Sequence, residues 1–176
     1  MRQLAEVKLD YRRELATIIP ECGIAIELGV ARGEFSSELL EHGPQINTLY
    51  SVDMWAGDRG HGITQYKKAL DALVKWGVRS VVIRATFDEA IELFEDDSID
   101  FIYADGYAHN AQESGTILEV WWPKLKINGI FAGHDYDNKW PRNVRHINKF
   151  AKAHGLKLQF TTEDEYASWY ARKYKT

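Results

Sequence analysis

A chain of 176 residues with 45% hydrophobic and 27% charged side chains carries enough apolar material for a globular core, expected as one domain over 1–176. Its apolar runs are too short to cross a bilayer, and a formal net charge of −4 argues against a nucleic-acid partner. The opening Met1-Arg2-Gln3-Leu4-Ala5-Glu6 has no apolar signal core and the single cysteine, Cys22, has no internal partner, so a reducing, cytoplasmic setting is expected.

Charged and apolar residues alternate at helical spacing over 2–18 (Leu4, Val7, Tyr11, Leu15, Ile18), which predicts an amphipathic helix ended by Pro20. Gly23 to Leu28 is apolar except for Glu27 and reads as a parallel strand covered on both faces. Gly29 and Gly33 then turn the chain into a helix over 34–41, broken by His42-Gly43-Pro44. A second strand, 47–52, closes on Asp53, and a loop over 54–61 follows. The next expected helix, 64–76, has Tyr66, Leu70, Leu73 and Val74 as its buried stripe and stops at Gly77. Residues 80–84 form a third strand, and Thr86 caps a helix reaching Phe94. A fourth strand, 99–104, ends on Asp105, ahead of a helix over 110–122. Residues 127–133 read as a fifth strand opened by an Asn128-Gly129 turn, and Pro141 starts a helix over 141–154. The last two strands, 156–161 and 166–173, are joined too tightly for a crossover helix and must form a hairpin. This alternation predicts an α/β fold, a seven-stranded, mostly parallel, doubly wound sheet with a C-terminal antiparallel hairpin.

In such a sheet ligands bind at the carboxyl ends of the strands. The dinucleotide fingerprint requires glycine at the first, third and sixth positions of the first turn. Here those positions hold Gly29, Ala31 and Glu34, so the pattern is Gly-x-x-x-Gly and a nicotinamide cofactor is disfavoured. Asp53 offers two acceptor oxygens to ribose hydroxyls. The ring of Phe87, beside Ala85 and Thr86, suits an adenine face. Asp105 and His109 after the fourth strand, with His134 and Asp135 after the fifth, gather four titratable groups at one edge.

Taken together, these residues resemble the class I S-adenosylmethionine-dependent methyltransferases. The resemblance rests on acid-x-Gly-x-x-x-Gly after strand one, acids after strands two and four, and the terminal hairpin, and it covers the chain from Cys22 onward. More narrowly, Asp105-Gly106 through His109, Trp121-Trp122-Pro123-Lys124-Leu125-Lys126 through Gly129, and Gly133-His134-Asp135-Tyr136 resemble a family of small methyltransferases with Asp-Gly-x-His and Gly-His-Asp-Tyr motifs. Two positions depart from its pattern. His109 stands four residues after Asp105 where the family has three, and Asn128 replaces a proline.

The resemblance implies a Rossmann-like three-layer sandwich, with an N-terminal helix over 1–20 on a catalytic core over 22–176. It implies S-adenosylmethionine as cofactor: Glu27, Gly29 and Gly33 around its methionine end, Asp53 on the ribose, Trp55 over the adenine or ribose, Thr86 and Phe87 flanking adenine, and Asp105 facing the sulfonium and amino group. His109 and His134 are the candidate bases, with Asp135 beside them. Related enzymes bind magnesium with an aspartate after strand four and a pair after strand five. Here that pair is His134-Asp135, and histidine suits magnesium poorly. The expected acceptor is a small molecule methylated at oxygen, met by the N-terminal helix and the loops 54–62 and 135–142. Asp105-Gly106-Tyr107 lacks the prolines of amino-directed nucleic-acid enzymes, and Cys22 precedes strand one, away from a carbon-directed nucleophile's place. A nucleotide-binding oxidoreductase on the same kind of sheet and a non-catalytic cofactor-binding module stay open as alternatives. Of the six tryptophans, some are expected in the core and the surface ones at either a pocket rim or a dimer face.

Overall fold

A computed structural model describes residues 7–21, 23–57, 60–106 and 116–175. The elements run β1 (Gly23–Leu28), α1 (Glu34–His42), β2 (Ile46–Asp53), α2 (Ile63–Leu73), β3 (Ser80–Arg84), α3 (Phe87–Ile91), β4 (Ile99–Ala104), α4 (Thr116–Trp121), β5 (Leu125–Gly133), α5 (Pro141–Ala153), β6 (Gln159–Phe160) and β7 (Trp169–Arg172). They form a seven-stranded sheet in the order β3-β2-β1-β4-β5-β7-β6. The first five strands are parallel, and β7 pairs antiparallel with both β5 and β6. The expected mixed sheet with a terminal hairpin is the one observed.

Side chains alternate between the two faces, as the two-residue period of a strand requires. Ala25, Phe101, Tyr103 and Ile130 join a core with Leu15, Phe35, Leu39 and Leu40, beneath the N-terminal segment and α1. Ile26, Leu28, Ile102 and Phe131 join the opposite core with Phe87, Trp121, Ile147 and Phe150 of α3, α4 and α5. Helices therefore cover both faces, which explains why the central strands read as almost continuous apolar runs.

β1 has β2 on one side and β4 on the other, so the chain's winding reverses there. The crevice at that reversal is where such folds bind ligands. Its floor is tight. Gly29 has φ +98°, and a Cβ at this position would lie 2.6 Å from the Gly106 nitrogen. Glycine is required both by the backbone angle and by the approach of the two turns.

Several expected elements differ in extent. Within the described residues the N-terminal segment is a 3₁₀ helix, Arg12–Ile18, and not an α-helix from residue 2. Long-range contacts outcompete the helical pattern: Thr162 N and Glu163 N donate to the Asp10 carbonyl, and Arg12 N donates to Asp164 Oδ2 at 2.8 Å. The helix expected over 64–76 ends at Leu73, and its buried stripe is Ala69 and Leu73, with Leu70 and Val74 exposed. A 3₁₀ stretch, Val74–Arg79, follows and contains Gly77 at φ +54°. α3 stops at Ile91, short of Phe94. β5 starts earlier, at Leu125, and Asn128 (φ +69°) sits within it where the pairing with β4 shifts register. The hairpin strands are shorter than expected, and 110–115 of the helix expected before β5 lie outside the described residues.

Gly29→Ala is predicted to cost at least about 2 kcal/mol, because left-handed backbone strain and a clash combine. Gly57→Ala shares the positive φ but meets no atom within 4 Å, and should cost only about 1 kcal/mol. Urea denaturation of both variants measures the difference, and equal losses would contradict the close-approach role of Gly29.

Candidate active site

A cavity of about 440 Å³ opens at the carboxyl ends of β1 to β4. Glu27, Gly29, Val30 and Ala31 form its floor, with Asp105 and Gly106 beside them and Asp53, Met54 and His61 on the β2 side. Ala85, Thr86 and Phe87 form one end, and Arg12, Glu34 and Phe35 form another part of the wall. Thr86 is held in place by a capping box in which its hydroxyl accepts from Glu89 N while its own N–H donates to Glu89 Oε2.

Glu27 is 1% exposed at the end of β1, the strand register placing it between Ser51 and Tyr103. Ser36, one turn into α1, donates to Glu27 Oε2 and lies 2.8 Å from the Ser51 hydroxyl. Burial pushes the Glu27 carboxyl up to about 8. The Ser36 hydrogen bond opposes this, and the negative Asp105 reinforces it. Burial therefore favours the protonated form of Glu27 at neutral pH.

Asp53 is the organiser of the glycine turn. Its Oδ2 accepts from Val30 N and Ala31 N, each at 3.0 Å, and its Oδ1 accepts from Trp55 N at 3.0 Å. A carboxylate has about four acceptor sites, so about one remains on Oδ1 for a ligand hydroxyl. The two acceptor oxygens expected to meet ribose hydroxyls are thus largely engaged by the chain's own backbone.

Beyond Asp105 the cavity meets a second group. His134 Nδ1 lies 3.0 Å from Asp135 Oδ1 and 3.5 Å from Asp105 Oδ1. Burial alone would lower the imidazole pKa, but hydrogen bonds to Asp105 and Asp135 raise it to about 9. His134 is thus a cation between two carboxylates. Asp135 is 2% exposed with φ +56°, an unfavourable angle for a non-glycine residue of the kind that collects at functional sites. The side-chain amide of Asn143, in α5, donates to the Asp135 carbonyl at 3.0 Å and steadies this strand end. Tyr166 packs edge-on to His134 (6.5 Å between ring centres) and to Trp140 (4.6 Å), and its hydroxyl accepts from Lys139 Nζ at 2.8 Å.

Asp105, His134 and Asp135 bring donor atoms within 4.8 Å of one another, close enough to share one cation. Magnesium takes hard oxygen ligands in an octahedron, and here it would have to displace the His134 proton and accept a nitrogen. The donor set therefore fits magnesium poorly.

Of the residues anticipated from the sequence, Glu27, Gly29, Asp53, Thr86, Phe87 and Asp105 line the cavity. His134 and Asp135 adjoin it through Asp105. Two expectations are displaced. Trp55 is 1% exposed and packs beneath the loop against Tyr66, its ring N–H donating to the Ala31 carbonyl at 2.8 Å, so Met54 takes its place in the wall. Gly33 faces Ala69, whose Cα would lie 3.1 Å from an added Cβ, and serves the packing of α1 on α2. His109 lies outside the described residues. The sequence reading missed Arg12, Ser36 and Tyr166. A buried acid implies some donor, which was a signal for Ser36, but Arg12 and Tyr166 reach the site only through tertiary folding.

Residues 26–136 match the family described as methyltransferase domain. A Sinorhizobium fredii protein called uncharacterized protein y4gI is 29% identical over 109 residues, which is 60% of this chain and 11% of that protein. The chain thus spans about a tenth of the length of this curated relative. The fold is similar to a SAM-dependent methyltransferase from Aquifex aeolicus (TM-score 0.66, 17% identity, 93% of this chain and 90% of that one). It is also similar to a SAM-dependent O-methyltransferase from Thermotoga maritima (0.66, 15%, 98% and 69%). Spermidine synthase from Thermotoga maritima shares it too (0.67, 16%, 92% and 59%). These structural likenesses speak to the fold, whereas the sequence match extends over well more than half of the residues, and on that ground the chain belongs to the methyltransferase-domain family.

Proposed function

We propose that the protein transfers the methyl group of S-adenosylmethionine to an oxygen of a small-molecule acceptor. The observation that carries this reading is Asp105, one carboxylate that lines the acidic switch-point cavity and also pairs with His134 on the other side. Cofactor site and proton acceptor thereby share a wall.

The cavity suits this cofactor by charge. Glu27 and Asp105 face the end where an ammonium and a sulfonium would sit, Asp53 has an acceptor left for a ribose hydroxyl, and Thr86 with Phe87 offers a small, apolar adenine end. When bound, S-adenosylmethionine supplies a methyl carbon on a positively charged sulfur, activated to leave as a neutral thioether. The chain's part is alignment, which is worth several kcal/mol in a two-reactant step, together with removal of the acceptor proton.

His134 is the proposed base. Its Nδ1 is held by the carboxylates, so Nε2 is the nitrogen that takes the acceptor proton. At a pKa of about 9 it begins protonated, but a sulfonium beside Asp105 is a like charge that pushes it back toward neutrality. Cofactor binding thus readies the base. His109 stays a second candidate. Trp140, Tyr166 and Lys139 form an aromatic and cationic rim next to His134, suited to a flat or polar small acceptor.

Two outcomes test the reading. Because ligand cations favour ionised Glu27, its contribution to S-adenosylmethionine affinity should rise with pH toward about 8 and level off once the carboxyl is already ionised, the His134 contribution continuing toward about 9. The sign is opposite for the unliganded fold. There the native state keeps a proton the unfolded chain has lost, so stability falls between about 4.5 and about 8. Calorimetry across this range should find proton release on binding, and Glu27→Gln should reduce that release and flatten the slope to the part contributed by His134, while weakening affinity. An unchanged slope in the variant would refute the role of Glu27. For His134→Gln, turnover on a panel of small phenols and sugars, read as S-adenosylhomocysteine formation, should fall about 10²- to 10⁴-fold with cofactor affinity retained. Full turnover in this variant would remove His134 from the chemistry.

A further inference from the structure

Arg12 enters the cavity from the N-terminal 3₁₀ segment, a part of the chain that carries none of the anticipated site residues. Its guanidinium centre lies 4.6 Å above the Phe35 ring, and its Nη1 is 3.8 Å from Asp105 Oδ2. The presentation is fixed from behind. Arg12 N donates to Asp164 Oδ2, and the carbonyl of Asp10 accepts from Thr162 N and Glu163 N, so the segment is tied to the turn between β6 and β7. The side chain is 29% exposed, and its positive charge is reinforced: burial opposes ionisation, but Tyr103, Asp105 and Glu27 outweigh it.

The charges around the cavity then divide. Glu27, Glu34, Asp53 and Asp105 are the acids of the wall, and among the described residues Arg12 and His61 are its basic side chains. His61 comes from the loop after β2, whereas Arg12 stands beside Glu27 and Asp105, the acids proposed for the methionine end. An amino-acid end carries one anion, a carboxylate, next to its ammonium. A guanidinium presents five N–H donors in a planar fork that matches a carboxylate. The Asp105 pair at 3.8 Å is long enough to leave donors of that fork for a ligand.

We propose that Arg12 binds the carboxylate of the cofactor's methionine end, so that the cavity selects a sulfonium carrying an amino-acid group over one lacking the carboxylate. This rests on the S-adenosylmethionine reading above. The N-terminal segment then becomes a cofactor-binding element closed over the site by the C-terminal hairpin turn.

Calorimetric titration of the protein with S-adenosylmethionine and with decarboxylated S-adenosylmethionine, for the native chain and for Arg12→Gln, tests it. The native chain should prefer the carboxylated ligand by about 10- to 100-fold, the range of a charge-assisted hydrogen-bonded pair. Arg12→Gln should lose most of that preference by weakening S-adenosylmethionine alone, with the decarboxylated ligand unchanged or tighter because a cation has been removed. Equal weakening of both ligands, or no preference in the native chain, overturns the assignment of Arg12 while leaving the cofactor reading intact. Failure of the native chain to bind either ligand is the distinct result that refutes the cofactor reading. Thermal denaturation of the variant checks its fold, which is expected to hold because the Asp164 bond uses the main chain. Should Arg12→Gln not fold, Arg12→Lys serves: it keeps the charge but not the fork, and must reduce the preference between the two ligands for the proposal to stand.

Discussion

Glu27 is a carboxyl group buried where an unpaired charge is costly. It sits at the carboxyl end of the central strand, 1% exposed, with hydroxyls of Ser36 and Ser51 behind it and the negative Asp105 in the same cavity. Burying an isolated carboxylate is so unfavourable that the group keeps its proton instead. The arrangement becomes stable in its ionised form when positive charge enters the cavity. In the proposed function a ligand with an ammonium and a sulfonium supplies that charge, and Arg12 supplies some of it in the meantime. The site is in this sense built around a deficit of positive charge at one point.

The scaffold that enforces this is the reversal of winding between β1 and β4. Gly29 lets the first turn pass within contact of Gly106, which brings Glu27 and Asp105 to one wall. Asp53 then fixes the turn by accepting three backbone N–H groups, and buried Trp55 fills the space beneath the loop. One carboxylate thus both shapes the floor and faces the cavity. On the far side Asp105 links the cavity to His134, so in the proposed reaction the charge of a bound cofactor bears on the protonation of His134. In the proposed reaction, binding and proton transfer are coupled through this single shared side chain.

Much of this was legible in the sequence, for identifiable reasons. Parallel strands buried on both faces announce themselves as apolar runs, and an acid ending such a run, as at Glu27, Asp53 and Asp105, stands out by contrast. The tightness of the connection before Trp169 dictated an antiparallel hairpin. The N-terminal segment was not legible, because its helical spacing is overridden by bonds from Asp10 and Arg12 to residues more than a hundred positions away. The same long-range tie hid Arg12 from the site. Trp55 was misplaced because a large ring beside a binding acid looks like a lid, whereas its left-handed backbone (φ +44°) turns it inward to donate to Ala31. Protonation of His134 depends on two carboxylates from different strands, and no spacing within one strand end reveals it.

The most direct measurement is a crystal structure with S-adenosylhomocysteine bound. The ligand should lie across the carboxyl ends of β1 to β4, with adenine against Thr86 and Phe87, a ribose hydroxyl on Asp53, and the amino-acid end between Glu27 and Arg12. The sulfur should point past Asp105 toward His134. A ligand bound in the reverse sense, with its sulfur away from Asp105 and His134, would contradict the central claim that one acidic wall serves both the cofactor and the base.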